Sequence, residues 1–198
     1  MAATSLTDGR SARAARTRDA VVDALLSLLD DGNLRPTARQ VAQRAGVSLR
    51  SVYVHFDDLD DLFTAAAHQH FERVRDLIER IPDHGPFETR LDLFTRQRAR
   101  IHEASAQVRR AAVLQEPFSN ALAEVLALAR NLSRAEIEIV FGEEIGRREG
   151  DGRTRVIVQL DMLSSATTWE TLRLQYDQSP DEAREIVADL LRACLRDA

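Results

Sequence analysis

Apolar residues recur at helical spacing along nearly the whole chain. Between about residues 12 and 31, for example, Val21, Leu25 and Leu28 follow one another at intervals of three or four positions, which places them on one face of a helix. No segment sustains the alternation of apolar and polar residues that is typical of a half-buried strand. The pattern therefore predicts an all-α protein with about nine helices.

Residues that cap or break helices divide this pattern into separate elements. Gly32 and Asn33 tolerate a left-handed backbone and can end the first helix, while Ser119 and Ser179 can cap later ones. The predicted helices cover about 12–31, 37–45, 49–55, 59–81, a segment around 91–101, 119–141, 153–176 and 180–197, and the turns between them contain Pro82–Pro86, Pro117 and the glycines at 146, 150 and 152.

The most informative stretch is residues 37–56, which read TARQVAQRAGVSLRSVYVHF. Its pattern predicts two short helices, with Gly46 in the tight turn between them and with Thr37 and Ser48 as helix caps. A small core would lock the two helices at a steep angle: Val41, Ala45, Val47, Val52 and Phe56. The second helix would then be a recognition helix, and its opposite face would contact base edges in the major groove of DNA. The residues of that face are Leu49, Arg50, Ser51, Tyr53, Val54 and His55.

This stretch resembles the DNA-binding part of the TetR family of transcriptional regulators. The resemblance covers roughly residues 17–63, and its matching positions are Thr17-Arg18, Thr37, Val41-Ala42, Ala45-Gly46-Val47-Ser48, Val52-Tyr53, His55-Phe56 and Leu62. It implies an N-terminal arm and helix-turn-helix DNA-binding domain over residues 1–57. It also implies a C-terminal helical bundle for effector binding and dimerisation over residues 58–198.

The sequence departs from the family pattern at two places in and beside this motif. Leu59 stands where the family has a lysine at the start of the fourth helix, and aspartates fill the other four positions of residues 57–61. A phosphate contact is lost there, and the acids would repel DNA. Position 50 is often glycine in the family and is an arginine here, which could bind guanine through two hydrogen bonds.

The resemblance also implies roles for single residues of the recognition helix and its neighbour. Tyr53 and His55 match positions that hydrogen-bond phosphates, although Tyr53 could instead pack at the edge of the small core. Arg50 is the expected reader of a base, with a solvated surface arginine as the alternative. Arg39 matches a base-reading arginine of the tetracycline repressor.

Helix starts provide the remaining expected contacts with DNA. Thr17 and Arg18 are expected at the start of the first helix, where they would touch phosphate. Thr37 and Ser48 are expected to cap the two short helices, whose exposed starts can accept phosphate through backbone N–H groups.

The helical tail carries candidates for effector binding and for dimerisation. The family's ligand cavity is usually lined where this chain has Phe94, His102, Gln115 and Phe118, although a packed helix bundle explains each of them equally well. A homodimer is expected through the last two long helices. The expected interface includes Leu163, Trp169, Val187, Leu190 and Cys194. For Trp169, the protomer core and a platform for the ligand are the alternatives.

The distribution of charge is more informative than the net charge of −5. Residues 1–57 contain eight arginines and six acids, whereas the remainder contains 19 arginines and 26 acids. Four arginines and no acid lie within residues 10–18. Because the basic footprint of a DNA-binding protein is local, DNA is expected at the N-terminal part. The chain has no lysine, so every basic contact would be made by a guanidinium.

The sequence gives no support for an enzyme, a metal-binding protein, or a secreted or membrane protein. A phosphate-binding glycine loop, a His-Glu-x-x-His motif and a nucleophile elbow are missing, so neither an enzyme activity nor a cofactor is expected. His68 and His70 do not share a helix face, which argues against a metal site. Cys194 is the only cysteine, and no apolar run resembles a signal peptide or a membrane span. The cytoplasm is the expected location, without a membrane partner.

The sequence therefore predicts a ligand-responsive transcriptional regulator, with repression as the expected mode. A homodimer would bind palindromic double-stranded operator DNA, and an unknown small-molecule effector would release it. The helix that starts near Leu59 would act as a lever between the two domains. Two alternatives remain open: a TetR-like interaction module that no longer binds DNA, and a helical ligand-binding protein without a regulatory role.

Overall fold

The computed structural model describes the backbone of residues 4–196 and the side chains of residues 11–196. These residues form ten α-helices and one short 3-10 helix, with no strand among them, which confirms the predicted all-α fold. In chain order the helices are α1 (Thr4–Asp30), α2 (Ala38–Ala45), α3 (Leu49–His55), α4 (Leu59–Arg75), α5 (Phe87–Gln115), the 3-10 helix Glu116–Phe118, α6 (Asn120–Val140), α7 (Gly142–Ile145), α8 (Gly150–Leu163), α9 (Ala166–Leu174) and α10 (Pro180–Arg196).

Serine caps determine several helix starts. The backbone N–H of Leu122 donates to Ser119 Oγ at 3.1 Å, as the sequence predicts for the start of α6. Ser179 caps α10 in the predicted way, because its Oγ accepts from a backbone N–H in the first turn at 3.3 Å. Ser165 caps α9, with its Oγ 3.2 Å from the N–H of Thr168. This last cap divides the helix that the sequence predicts over residues 153–176 into α8 and α9.

Three other predicted boundaries are wrong. α1 begins at Thr4 rather than near residue 12, and Gly150 and Gly152 lie in the first turn of α8 rather than in a loop. α4 ends at Arg75 rather than near residue 81. After its end, the N–H of Glu79 donates to the side chain of Gln97 at 2.6 Å instead of continuing the helix ladder.

The chain divides into two compact units, and unit 1 consists of Met1–Glu72 and Gln107–Val125. Its core joins α1, α2 and α3 to the start of α4 and to part of α5. Leu62 and Phe63 of α4 are buried in the same core as Val52 of α3. Because these contacts continue past residue 57, the compact unit does not end at the expected boundary between residues 57 and 58.

Unit 2 consists of Arg73–Ala106 and Leu126–Ala198. Its core is a cluster of buried apolar side chains, most of them on α5 to α10, that includes Phe94, Phe141 and Leu160. One ion pair is buried with it: Arg90 donates to Glu144 Oε2 at 3.0 Å, and also to the carbonyl oxygen of Val140. Within residues 4–196, none of the helices combines the length and apolar character needed to cross a lipid bilayer.

Candidate nucleic-acid interface

The start of α2 is held by a reciprocal pair of hydrogen bonds. Thr37 is the N-cap, with its Oγ1 accepting from the backbone N–H of Gln40 at 3.3 Å. The side chain of Gln40 accepts in return from the backbone N–H of Thr37 at 2.8 Å. This capping box satisfies two helix-end donors. It therefore determines where α2 begins without any tertiary contact.

The turn between α2 and α3 depends on Gly46. This residue ends α2 in the left-handed conformation, with φ of 67°. The following N–H, that of Val47, donates to the carbonyl of Ala42 at 3.0 Å. Side chains other than glycine adopt this backbone at a cost, so the position of Gly46 in the sequence predicts the turn.

α3 is anchored on one face only. Ser48 caps the helix, with its Oγ 3.0 Å from the N–H of Ser51. Val52 and Phe56 are each 1% exposed and pack in the core of unit 1. A helix of seven residues fixed along one side presents its other side to solvent.

The solvent face of α3 is mixed in chemistry. Leu49, Tyr53 and Val54 are exposed apolar or aromatic residues, with Val54 69% exposed, and Arg50 is exposed beside them. Ser51 and His55 are half-buried. A guanidinium can hydrogen-bond guanine, and an apolar side chain can contact a thymine methyl group. The face is therefore chemically suited to the major groove.

The fold is similar to that of several solved regulators. A transcriptional regulator from Rhodococcus sp. Rha1 superposes with a TM-score of 0.66 and 18% identity, over 93% of this chain and 97% of that one. A TetR transcription regulator from Haloarcula marismortui ATCC 43049 has a TM-score of 0.63 and 18% identity, over 92% and 98% of the two chains. The chain has the TetR-type fold. The multidrug binding protein EbrR, solved in complex with imidazole, is similar too, with a TM-score of 0.64 and 22% identity over 90% of this chain and 89% of that one.

Comparison of the amino-acid sequence with known families and with curated proteins finds no match. At 18–22% identity, the likeness to the solved structures concerns the fold.

In this TetR-type fold, Thr17 and Arg18 lie inside α1 rather than at its start. The expectation that they begin the first helix is wrong, because α1 extends back to Thr4. The hydroxyl of Thr17 donates to the carbonyl of Arg13 at 3.0 Å, and is thereby used within the helix. The guanidinium of Arg18 lies over the ring of Phe56, 4.9 Å from its centre.

The two arginines of α2 differ in exposure and in contacts. Arg39 is exposed on this helix, as the sequence predicts. Arg44, in the last turn, donates instead to Asp31 at 2.7 Å and to Ser27 at 2.5 Å. Arg44 is therefore held against α1 within unit 1, and this pairing has no signal in local sequence.

The aspartates after α3 have a structural role as well as a charge. Asp58 Oδ1 accepts from the N–H of Asp61 at 2.9 Å, which caps α4 as the sequence predicts. Asp61 Oδ2 accepts from the N–H of Asp57 at 3.4 Å. Asp57, Asp58, Asp60 and Asp61 are all exposed. Their negative charge consequently remains beside the solvent face of α3.

Two of the predicted effector-binding residues lie in unit 2. Phe94 is fully buried, with its ring edge-to-face against Phe141 at 5.1 Å between centres. His102 is half-buried, and its Nε2 lies 3.0 Å from the carbonyl oxygen of Ser164. The ring of His102 is also 5.8 Å from that of Trp169.

The other two predicted effector-binding residues belong to unit 1. Gln115 is half-buried at the end of α5. Phe118 is 84% exposed in the 3-10 helix, so the expectation that it lines an enclosed cavity is wrong. The sequence places Pro117 in a turn, but helical spacing did not show that Phe118 would be exposed there.

A buried polar cluster next to Phe94 was missed by sequence reasoning. Arg98 is 5% exposed, and its guanidinium lies 4.8 Å from the ring centre of Phe94. It donates to Ser133 Oγ at 2.8 Å and pairs with Glu136 at 2.8 Å. Burial raises the pKa of Glu136 above its ordinary value, although Arg98 and then Gln97 act in the opposite direction. Among the described residues, Arg98 Nε has no hydrogen-bond partner.

A groove on the surface of unit 2 is lined by none of the four predicted effector-binding residues. Its volume is about 240 Å³, which is small for a drug-sized ligand. It lies between α5 and α10 and is lined by Glu88, Leu91, Asp92, Thr95, Arg184, Glu185, Ala188, Asp189 and Arg192. Six of these nine residues are charged, unlike the mostly apolar lining of typical ligand sites.

The predicted dimer residues differ in exposure. Trp169 and Val187 are buried in the core of unit 2, which leaves them little surface for a partner. Leu163 and Cys194 are half-buried against the same core, and Leu190 is exposed. Two exposed residues that the sequence did not single out, Val158 and Met162, share a face of α8. Apolar spacing could not distinguish them from the buried face of that helix.

Proposed function

We propose that this chain is a ligand-responsive transcriptional regulator, acting as a repressor, that binds palindromic operator DNA as a homodimer. The observation that carries the proposal is the solvent face of α3. It combines Arg50, Tyr53 and Val54 on a helix whose other side is anchored by Val52 and Phe56. A rigidly held recognition helix with a guanidinium and apolar groups facing outward is what major-groove reading needs.

The homodimer is proposed from exposed apolar residues on the last helices. Val158 and Met162 lie four positions apart on α8, and Leu190 is exposed on α10. A pair of helices from each subunit would form a four-helix interface around a two-fold axis. The same axis requires two matching half-sites in the DNA. A monomer in sedimentation experiments at micromolar concentration would contradict this part of the proposal.

Effector binding is proposed for unit 2. The buried Phe94 with the neighbouring Arg98 combines an apolar surface with a few polar groups, which is typical of small-molecule sites. EbrR, a multidrug binding protein of the same fold, was solved with imidazole. α4 lies in unit 1 up to Glu72 and in unit 2 from Arg73, so it is the proposed lever. The effector must bind the DNA-incompetent form more tightly, with a coupling of about 1–3 kcal/mol.

An electrophoretic mobility shift assay with DNA from upstream of the chain's own gene tests the function. We expect a shifted band that survives excess scrambled competitor and is lost in the Arg50→Ala/Tyr53→Ala variant. Failure to shift any upstream fragment, in a protein that is folded by circular dichroism, would contradict operator binding.

The second candidate function is an interaction module of TetR-type fold that does not bind DNA. The exposed aspartates at 57, 58, 60 and 61, together with Leu59 in place of a lysine, favour it. Equal and weak binding of operator and scrambled DNA by an intact dimer would support this candidate. Selective binding would exclude it.

A further inference from the structure

α1 extends beyond the part of it that packs in the core of unit 1. From residue 11 onward, where side chains are described, its first buried residue is Val21, whereas the helix begins at Thr4. Residues 11–16 are all exposed. At 1.5 Å per residue, the segment before Ala20 is about 24 Å long. We call residues 11–18 of this segment the basic arm.

The basic arm has the composition of a polyanion-binding surface. It contains Arg13, Arg16 and Arg18 and no acid, and the first acid after it is Asp19. Arg13 and Arg16 lie three positions apart and therefore project from the same side of the helix. Arg10 belongs to the same run in the sequence but lies outside the side chains that the structure describes.

The arm has no large apolar side chain that would pack against another helix. Alanine, serine and threonine fill the positions between its arginines, so it has no stripe to bury against another helix. A helix of this length without tertiary packing is only marginally stable in water. A run of phosphates would favour it by pairing with the guanidinium groups.

The place where the arm leaves the core of unit 1 identifies the polyanion. Arg18 lies over Phe56, and Phe56 directly follows α3 as its C-cap residue. The arm therefore extends from the edge of the candidate DNA-binding surface, beside the C-terminal end of the recognition helix.

We infer that Arg13 and Arg16 contact the phosphate backbone of the DNA that flanks each half-site. This inference rests on the proposed function and adds a second contact region to it. The arm is about 12 Å long and would therefore lengthen the footprint by up to roughly four base pairs on each side, given the spacing of successive phosphates. Because phosphates carry no base identity, the added affinity is independent of the flanking sequence.

The test compares Arg13→Ala/Arg16→Ala with wild type in the full chain. Alanine is the best helix former, so this variant removes charge without weakening α1. The control is Arg96→Ala/Arg147→Ala, which removes the same charge from exposed residues of unit 2, each in a surface ion pair within its own segment. Fluorescence anisotropy measures binding to the operator alone and to the operator extended by about ten base pairs of arbitrary sequence on each side, more than the arm can reach.

We expect wild type and control to bind the extended duplex more tightly than the short one, and the arm variant to lose that difference. On the extended duplex, the slope of log affinity against log salt should fall by about 0.9 for each phosphate contact removed. Equal affinity and slope for wild type and arm variant would overturn the inference while leaving operator binding intact. The inference would also be overturned if the control variant lost as much affinity for the extended duplex as the arm variant. A change of oligomeric state in the arm variant alone would overturn it as well. A wild type that binds neither duplex would instead contradict the proposed function.

Discussion

The guanidinium of Arg18 lies 4.9 Å from the centre of the Phe56 ring, in cation–π geometry. The contact joins α1 to the residue that ends the recognition helix, across 38 positions of the chain. Phe56 is buried whereas Arg18 is exposed. The ring of Phe56 therefore packs in the core of unit 1 and also contacts the guanidinium of Arg18.

Removing this contact should lower stability even without DNA. Exposed cation–π pairs contribute about 0.5–1 kcal/mol, so Arg18→Ala should reduce the free energy of unfolding by that amount. Urea denaturation of Arg18→Ala, Phe56→Leu and the double variant measures the coupling. A coupling energy of zero would mean that the two side chains do not stabilise each other.

Replacing Arg50 and replacing Tyr53 should change DNA binding in different ways. Arg50→Ala should relax preference at one base pair of each half-site by about 1–3 kcal/mol, because a guanidinium can bind guanine with two hydrogen bonds. Tyr53→Ala should weaken binding to all sequences, because a phosphate contact is independent of the base. Equal losses of Arg50→Ala on operator and scrambled DNA would exclude Arg50 as a base reader.

Val52 and Val54 provide a matched pair on opposite faces of α3. Val52 is 1% exposed, so Val52→Ala should cost about 2 kcal/mol of unfolding free energy through lost burial and a cavity. Val54→Ala should change stability by no more than about 0.5 kcal/mol but should weaken operator binding. Thermal denaturation and anisotropy measure the two effects. Similar stability losses in both variants would contradict the orientation of α3.

Gly46 and Gly142 test whether the turn depends on backbone conformation. Neither would bring an added Cβ within 4 Å of a neighbour, but only Gly46 has a positive φ. Gly46→Ala should therefore destabilise by about 1–2 kcal/mol, whereas Gly142→Ala should be neutral or stabilising by up to about 1 kcal/mol. The comparison is made by chemical denaturation. A neutral Gly46→Ala would show that the turn tolerates a right-handed backbone.

The buried pair of Arg90 and Glu144 should make stability depend on acid pH. Burial alone would raise the pKa of Glu144, but the hydrogen bonds from Arg90, a backbone hydrogen bond and the charges of Arg90 and Arg147 together hold the pKa below the ordinary value of 4.5. A carboxyl with a lowered pKa stabilises the fold above its unfolded-state pKa. That contribution disappears as the pH falls through the folded-state pKa.

Glu144→Gln should therefore cost the most near neutral pH, about 3–5 kcal/mol, because it leaves Arg90 buried without its counter-charge. The difference from wild type should shrink as the pH falls below about 4.5. Denaturant unfolding across pH 3–8 measures it, with the exposed Glu138→Gln as control, for which a change within about 0.5 kcal/mol is expected. A difference that is independent of pH would contradict the ion pair.

Local chemistry was sufficient to predict the helix-turn-helix. Thr37 and Ser48 cap with their own hydroxyls, and Gly46 adopts a backbone that few other residues accept. The buried and exposed faces of α3 follow from residues within one motif. These interactions join positions close in sequence, so the pattern of residues by itself determined the motif and the all-α class.

The tertiary structure decided everything that depends on distant partners. Apolar spacing continues through residues 76–81, yet α4 ends at Arg75 and the side chain of Gln97 accepts from the backbone N–H of Glu79. The same limit applies to function, because spacing does not show which face of a helix is covered. Only packing showed that Trp169 is buried and Phe118 is exposed. Only packing also showed that Arg13 and Arg16 lie on a helix surface that the core does not cover.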